Sequence, residues 1–193
     1  MYFLRVENGT KPQDEPKFIV FYSSLLALFS VFCFKCKGGN PKVKMYQTGT
    51  MVTVEQQCSS CQGIKPFKWQ SQPSILGFAA GNILLSFSSL MAGASISKVL
   101  LVFRHFGLAV YSPRTYYRHQ SEVIIPSILT YWESYQASLI QSLQSVQNAV
   151  WSGDDRFYSM GHSAKYGVYT MFCCTIMKIV HFDLLQVSIP EIF

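Results

Sequence analysis

The sequence is short of acids and of charge in general. Only 10 Asp and Glu stand against 16 Lys and Arg, and charged residues make up 13% of 193. With a hydrophobic fraction of 49%, so little charge excludes a disordered chain and leaves enough apolar material for one ordinary domain or two small ones. There is no internal repeat of 20 to 50 residues, which excludes a solenoid, and no long low-complexity tract. The basic residues form no single run. Their excess, a formal charge of +6, therefore favours nucleic acid or an anionic membrane surface without singling out one basic arm.

Long apolar runs are nearly absent as well. The one stretch near spanning length is Phe18 to Phe34, "FIVFYSSLLALFSVFCF", with 17 uncharged residues, at the short edge of what crosses a bilayer. It has neither a small-residue cleavage site after it nor a basic segment before it, so the membrane reading is an uncleaved anchor, with Lys35, Lys37, Lys42 and Lys44 holding the following chain in the cytoplasm. The other reading is a helix buried on one broad face, because Phe18, Phe21, Leu25, Leu28, Phe29 and Phe32 recur at helical spacing.

What is present in a specific pattern is cysteine. Cys33 and Cys36, then Cys58 and Cys61, form two CxxC pairs with 21 residues between them. This is the ligand spacing of a tetrahedral four-cysteine zinc site, since each pair wraps a tight knuckle that aims both thiolates at one ion. Four separate thiols or two disulfides are the alternatives. Gly38 and Gly39 offer the positive φ angles a knuckle needs. "KVKMYQTGTMVTVEQQ" alternates about Thr48 and Gly49 as a β-hairpin, so knuckle, hairpin and knuckle make a zinc ribbon.

The middle of the chain reads as helical. Ala79 to Gly93 is a buried helix too short to span. Ser95 caps a second helix, which Gly107 ends, and Ser112 with Pro113 opens a third. The last two resemble a helix-turn-helix whose second helix presents Arg114, Tyr116, Tyr117, Arg118 and His119; a solvated amphipathic face is the plainer alternative. Pro126 is expected to kink or break the helix. A further apolar stripe runs from Ile128 to Val146. From Ala149 the pattern changes to three short strands of an antiparallel meander, separated by turn-like breaks, with the adjacent Cys173 and Cys174 on opposite faces. The fold class is thus α+β. Its expected divisions are a tail over 1–17, an apolar helix plus zinc ribbon over 18–72, a helical region over 73–148 and a β-meander over 149–193.

Asp154 and Asp155, side by side in "SGDDR", are either turn acids or holders of a cation. Together with "KWQSQPSILGFAAGNILLS", "SPRTYYRHQ", "GHSAKYGVYT" and "FDLLQ", this motif resembles the N-terminal half of Kolobok-type transposase-derived proteins, from about Phe18 to Gln186. The resemblance implies that a ribbon and helical region precede a core similar to the RNase H fold, and that Asp154 is the first of three metal-binding carboxylates. Two-metal phosphodiester cleavage needs several such acids, on Mg or Mn. Family members carry a small residue at 155, an acid at 158 and proline at 160, where this chain has Asp155, Tyr158 and Met160; Asp155 is a substitute ligand. Asp183 and Glu191 do not lie where the later acids belong, and "VSIPEIF" no longer resembles the family. The implied protein is a truncated, nuclear, zinc-stabilised DNA binder without nuclease activity. Its phosphate contacts are Arg104, Arg114, Arg118, His119 and Lys165, and His162 is a further group able to orient a phosphate. A protein partner covers the incomplete core. The two alternatives are the single-pass membrane protein and a zinc-containing interaction scaffold.

Overall fold

A computed structural model describes residues 9–61, 65–157 and 166–186. The chain is mixed α+β and divides into two units, Met1–Ile125 and Pro126–Phe193.

The first unit begins with helix α1, Tyr22–Ser30, which is nine residues long and buries only Phe29. The longer apolar stripe expected here is not buried: Phe18, Phe21 and Leu28 are 71%, 76% and 59% exposed. Among the described residues no helix is long and apolar enough to cross a membrane, so the anchor reading of residues 18–34 is set aside. Strands β1 (Lys42–Thr48), β2 (Met51–Gln57) and β3 (Phe67–Gln70) form an antiparallel sheet in that order. The hairpin is the expected one, closed by Gly49 and Thr50 with Gly49 at φ 63°. Strand β3 falls in the stretch "PFKWQSQP", where apolar and polar residues alternate over only four positions, too few for periodicity to register.

The sheet has two unlike faces. Val54 pairs with Met45 and Trp69 and is fully buried. The rings of Phe29 and Trp69 lie 5.0 Å apart, those of Phe29 and Phe34 5.5 Å, and Phe34 stacks on Phe67 at 5.1 Å. In the midst of these aromatics sits Gln56, 2% exposed. Its amide donates to the carbonyls of Phe29 (2.5 Å) and Phe32 (3.1 Å) and accepts from the Phe34 N–H (3.0 Å), so one side chain satisfies the backbone groups left open where α1 ends.

A two-residue hairpin pair, β4 (Ser74–Ile75) and β5 (Phe78–Ala79), leads into α2, Ala80–Met91. Its turn residues Leu76 and Gly77 both have positive φ. Buried Asn82 on α2 takes hold of the ribbon's hairpin tip: its Oδ1 accepts from the Thr50 N–H (2.7 Å) and hydroxyl (2.8 Å), and its Nδ2 donates to the Thr48 carbonyl (3.2 Å). Gln72 accepts from the Gly81 N–H at the helix start. Helix α3 (Ile96–His105) ends at Gly107, φ 75°, as expected. Helix α4 (Pro113–His119) is capped by Ser112, whose hydroxyl accepts from the Thr115 N–H. Leu100, Ile96, Tyr111 and Tyr116 form the core between these helices. The connection from α3 to α4, 106–112, is longer than the three- to four-residue turn of a helix-turn-helix.

Pro126 does not break the helix. A π-helical turn, Gln120–Ile124, precedes helix α5, Ile125–Leu143, and the Ile125 N–H reaches back to the Gln120 carbonyl. The wider turn shifts the hydrogen-bond register where proline offers no donor.

The second unit is a meander of β6 (Trp151–Phe157), β7 (Tyr166–Cys173) and β8 (Lys178–Gln186), antiparallel and paired in that order. Met171 pairs with His181 and Phe172 with Ile179, which leaves Val180 as the extra residue of a bulge. Val180 is buried, and its carbonyl accepts from the Gln136 amide of α5 at 3.0 Å; Trp132 of α5 meets Phe182 at 4.8 Å. Cys173 is fully buried; Cys174 lies just past the strand, half-buried.

Candidate metal centre

The two knuckles bring all four expected cysteines together. Their sulfurs lie within 4.8 Å of one another, with Cys33 Sγ 4.0 Å from Cys61 Sγ and Cys36 Sγ 3.7 Å from Cys58 Sγ. A disulfide needs about 2.05 Å, and all four cysteines are free. Zinc–sulfur bonds of about 2.3 Å in a tetrahedron put the sulfurs about 3.8 Å apart, so the set fits such an ion.

The backbone explains the geometry. The Cys33 N–H donates to the Gly38 carbonyl and the Lys37 N–H to the Cys33 carbonyl, both at 2.8 Å, closing the first loop. The left-handed residue is Lys37 at φ 62°, with Asn40 at 53°, rather than Gly38 or Gly39. Gly38 serves another purpose: a Cβ there would stand 3.4 Å from the Cys36 sulfur. In the second loop the Cys61 N–H donates to the Cys58 carbonyl.

Protons and charge are distributed unevenly over the four thiols. Backbone N–H groups of Cys36 and Lys35 lower the Cys33 pKa to about 7, and that of Ser60 lowers Cys58. Cys61 is pushed up to about 12, first by its hydrogen bond with Cys36, then by burial and by Cys33. Crowded thiols cannot all ionise unaided. A divalent cation removes that obstacle, because the ligand it needs is the thiolate. Bound there, the metal would tie Cys33 and Cys36 at the end of α1 to Cys58 and Cys61 after β2; its role is structural, since four protein ligands leave no open position. Six lysines and one glutamate lie between Cys33 and Gln70, so the anionic cluster sits in a basic segment.

The expected DNA contacts fare differently. Arg104, Arg114 and Arg118 are exposed, with the Arg118 guanidinium 5.1 Å above the Phe78 ring. His119 is not a surface group. It is 1% exposed, its Nδ1 is 2.8 Å from the Ser86 hydroxyl, which also meets the Tyr111 hydroxyl at 2.7 Å, and the Phe78 and Tyr111 rings close over it edge-on. Seven helical residues starting at Pro113 turn positions 116 and 119 inward together, whereas the expectation had treated every polar residue of the stretch as outward. Lys165, His162 and Glu191 lie outside the described residues.

Asp154 and Asp155 stand inside β6 rather than at a turn. Consecutive strand residues face opposite sides: Asp154 shares a cross-strand row with Thr170 and Phe182, and Asp155 one with Tyr169 and Asp183. The two acids therefore cannot grip one ion together. Among the described residues the four cysteines are the only group of His, Cys, Asp or Glu side chains close enough to share a metal.

Sequence periodicity assigned no role to either Gln56 or Asn82. The chain matches no protein-family model, no curated protein and no solved structure.

Proposed function

We propose that this chain is a nuclear, zinc-stabilised DNA-binding protein of transposase ancestry that does not itself cut DNA. The observation that carries the reading is the four-cysteine cluster set in a strongly basic unit: Met1–Ile125 holds 13 basic residues against five acidic ones. Arg104, Arg114 and Arg118 add exposed guanidinium groups able to contact phosphates. The transposase ancestry rests on the sequence motifs, and the antiparallel meander carrying Asp154 on its first strand is compatible with the start of an RNase H-like core. The non-cleaving part of the reading is supported by the separation of Asp154 and Asp155 onto opposite faces of the sheet. Metal-dependent nicking lost in Asp154→Ala would refute that part.

The test is binding of labelled DNA, single-stranded and duplex, followed by anisotropy as salt rises. Affinity should fall about linearly on logarithmic axes, with each lost arginine reducing the slope by somewhat less than one. A flat response would remove the reading.

A protein-interaction scaffold is the second reading, and a separate observation favours it. The meander exposes Tyr166 and Leu184 on one face and Trp151, Phe157 and Leu185 on the other, each at least 45%, apolar surface suited to a protein partner. It predicts no DNA binding at any salt concentration.

A further inference from the structure

The outer face of the ribbon sheet, away from Phe29 and Trp69, has a composition unlike the rest of the surface. Cross-strand register places Lys44, Glu55 and Lys68 in one row and Tyr46, Thr53 and Gln70 in the next, with Lys42 beside them on β1. Lys68 Nζ lies 2.7 Å from Glu55 Oε1. That pairing and a hydrogen bond from Tyr46 hold the Glu55 carboxyl below its ordinary range, so the one acid on the face stays ionised and engaged. Among the described residues Lys42 and Lys44 form no ion pair of this kind, although Lys44 stands across from Glu55 in the ladder. Tyr46 is 49% exposed and lies one row along from Glu55 on the same face.

We infer that this face, through Tyr46 with Lys42, Lys44 and Lys68, is a docking surface for single-stranded DNA. The inference rests on the DNA-binding reading and adds to it a form of nucleic acid and a place. A planar aromatic on a sheet, with lysines in the rows on one side of it and amide and hydroxyl groups in its own row, offers an unpaired base a ring to stack on and the neighbouring phosphates positive charge. Duplex DNA suits the surface poorly. Three strands about 4.8 Å apart span about 10 Å before side chains are added, and a major groove about 12 Å wide admits a two-stranded ribbon but not this sheet. A base inside a duplex also keeps its faces covered by its neighbours, so Tyr46 would have nothing to stack on.

The experiment uses the full zinc-loaded chain and a fluorescein-labelled oligothymidine, with a duplex of equal length as comparison. The single strand should bind at least several-fold more tightly. Tyr46→Ala should weaken it about tenfold and Tyr46→Phe should leave it nearly unchanged. Lys42→Ala with Lys44→Ala should lower the salt slope by about 1.4. Zinc content, measured for each variant, shows that the ribbon has remained folded. Binding that persists unaltered in the Tyr46 and lysine variants, or a preference for the duplex, overturns the inference and leaves the DNA-binding reading standing. No binding of either DNA at any salt concentration overturns both.

Discussion

The two units solve the problem of stability by different means. Every buried polar side chain among the described residues, Gln56, Asn82, Ser86, Ser89 and His119, belongs to Met1–Ile125. Among the described residues of Pro126–Phe193 the buried side chains are Leu139, Cys173 and Val180, and what organises the sheet is its own ladder. Charge follows the same division: 13 basic and five acidic residues in the first unit, three and five in the second. Buried amides and hydroxyls with several partners specify one arrangement, because any shift leaves a group unpaired. A ladder with exposed faces specifies register but leaves its surface available. The first unit is built to hold a shape, and the second keeps more of its apolar surface exposed.

Metal removal is the sharpest way to break this comparison. Structural zinc in small domains binds with an apparent free energy of about 10–16 kcal/mol, most of which is folding free energy. The chain should carry one zinc, lost in Cys58→Ser with Cys61→Ser. Hydrogen exchange should then show β1–β3 unprotected while β6–β8 keep their protection. Loss of both sheets together would mean that the units are not independent.

Next in size are the two amides. Gln56→Leu leaves the Phe29 and Phe32 carbonyls and the Phe34 N–H without their partner, and Asn82→Leu does the same to the hairpin tip. Each unsatisfied buried group costs about 1–3 kcal/mol and each variant leaves several, so denaturant melts should show losses of about 3 kcal/mol or more for either variant. Gln136→Leu in the second unit removes the part-buried bond to the Val180 carbonyl and the exposed contact with His181 Nδ1, and should cost about 1 kcal/mol.

The third test is pH. Burial lowers the His119 pKa, with Arg118 adding to it and Glu122 opposing it. The unfolded histidine, at about 6.5, binds the proton more readily than the folded one. Stability is therefore fully present above about pH 6.5 and declines as pH falls below it. In His119→Gln that decline should disappear from the melting of the helical region, and the second unit's response should be the same in both proteins.

The balance of what the sequence reveals runs along the same divide. Cysteine spacing, the Thr48–Met51 hairpin, the Ser112–Pro113 cap and the three late strands are local signals, set by covalent reach, turn chemistry and period two, and all four occur as expected. The inward turn of His119 and the tasks of Gln56 and Asn82 depend on partners 22 to 34 residues away, which no window of local pattern contains. Lys37 takes the left-handed position that Gly38 and Gly39 were expected to supply, because the knuckle's hydrogen bonds select the position before the residue type. Asp154 and Asp155 were legible as a pair, but strand alternation, not their adjacency, determines that they face apart.

Two glycines give the finest comparison. A Cβ on Gly49 would fall 2.5 Å from the Asn82 amide, and its φ of 63° is unfavourable to any L side chain. Asn82 is buried and held by three hydrogen bonds, so it has nowhere to go. A Cβ on Gly153 would run into the Tyr169 hydroxyl, but Tyr169 is 41% exposed and its ring can swing outward. Alanine also improves a strand interior by about 0.5–1 kcal/mol over glycine. Gly49→Ala should therefore cost about 2 kcal/mol or more from strain and the lost clamp. Gly153→Ala should change stability by less than about 1 kcal/mol in either direction. Its visible effect should be a shift of the Tyr169 ring resonances. Equal losses in the two variants would mean that the second sheet is as tightly packed as the first and that its apolar face is not open to a partner.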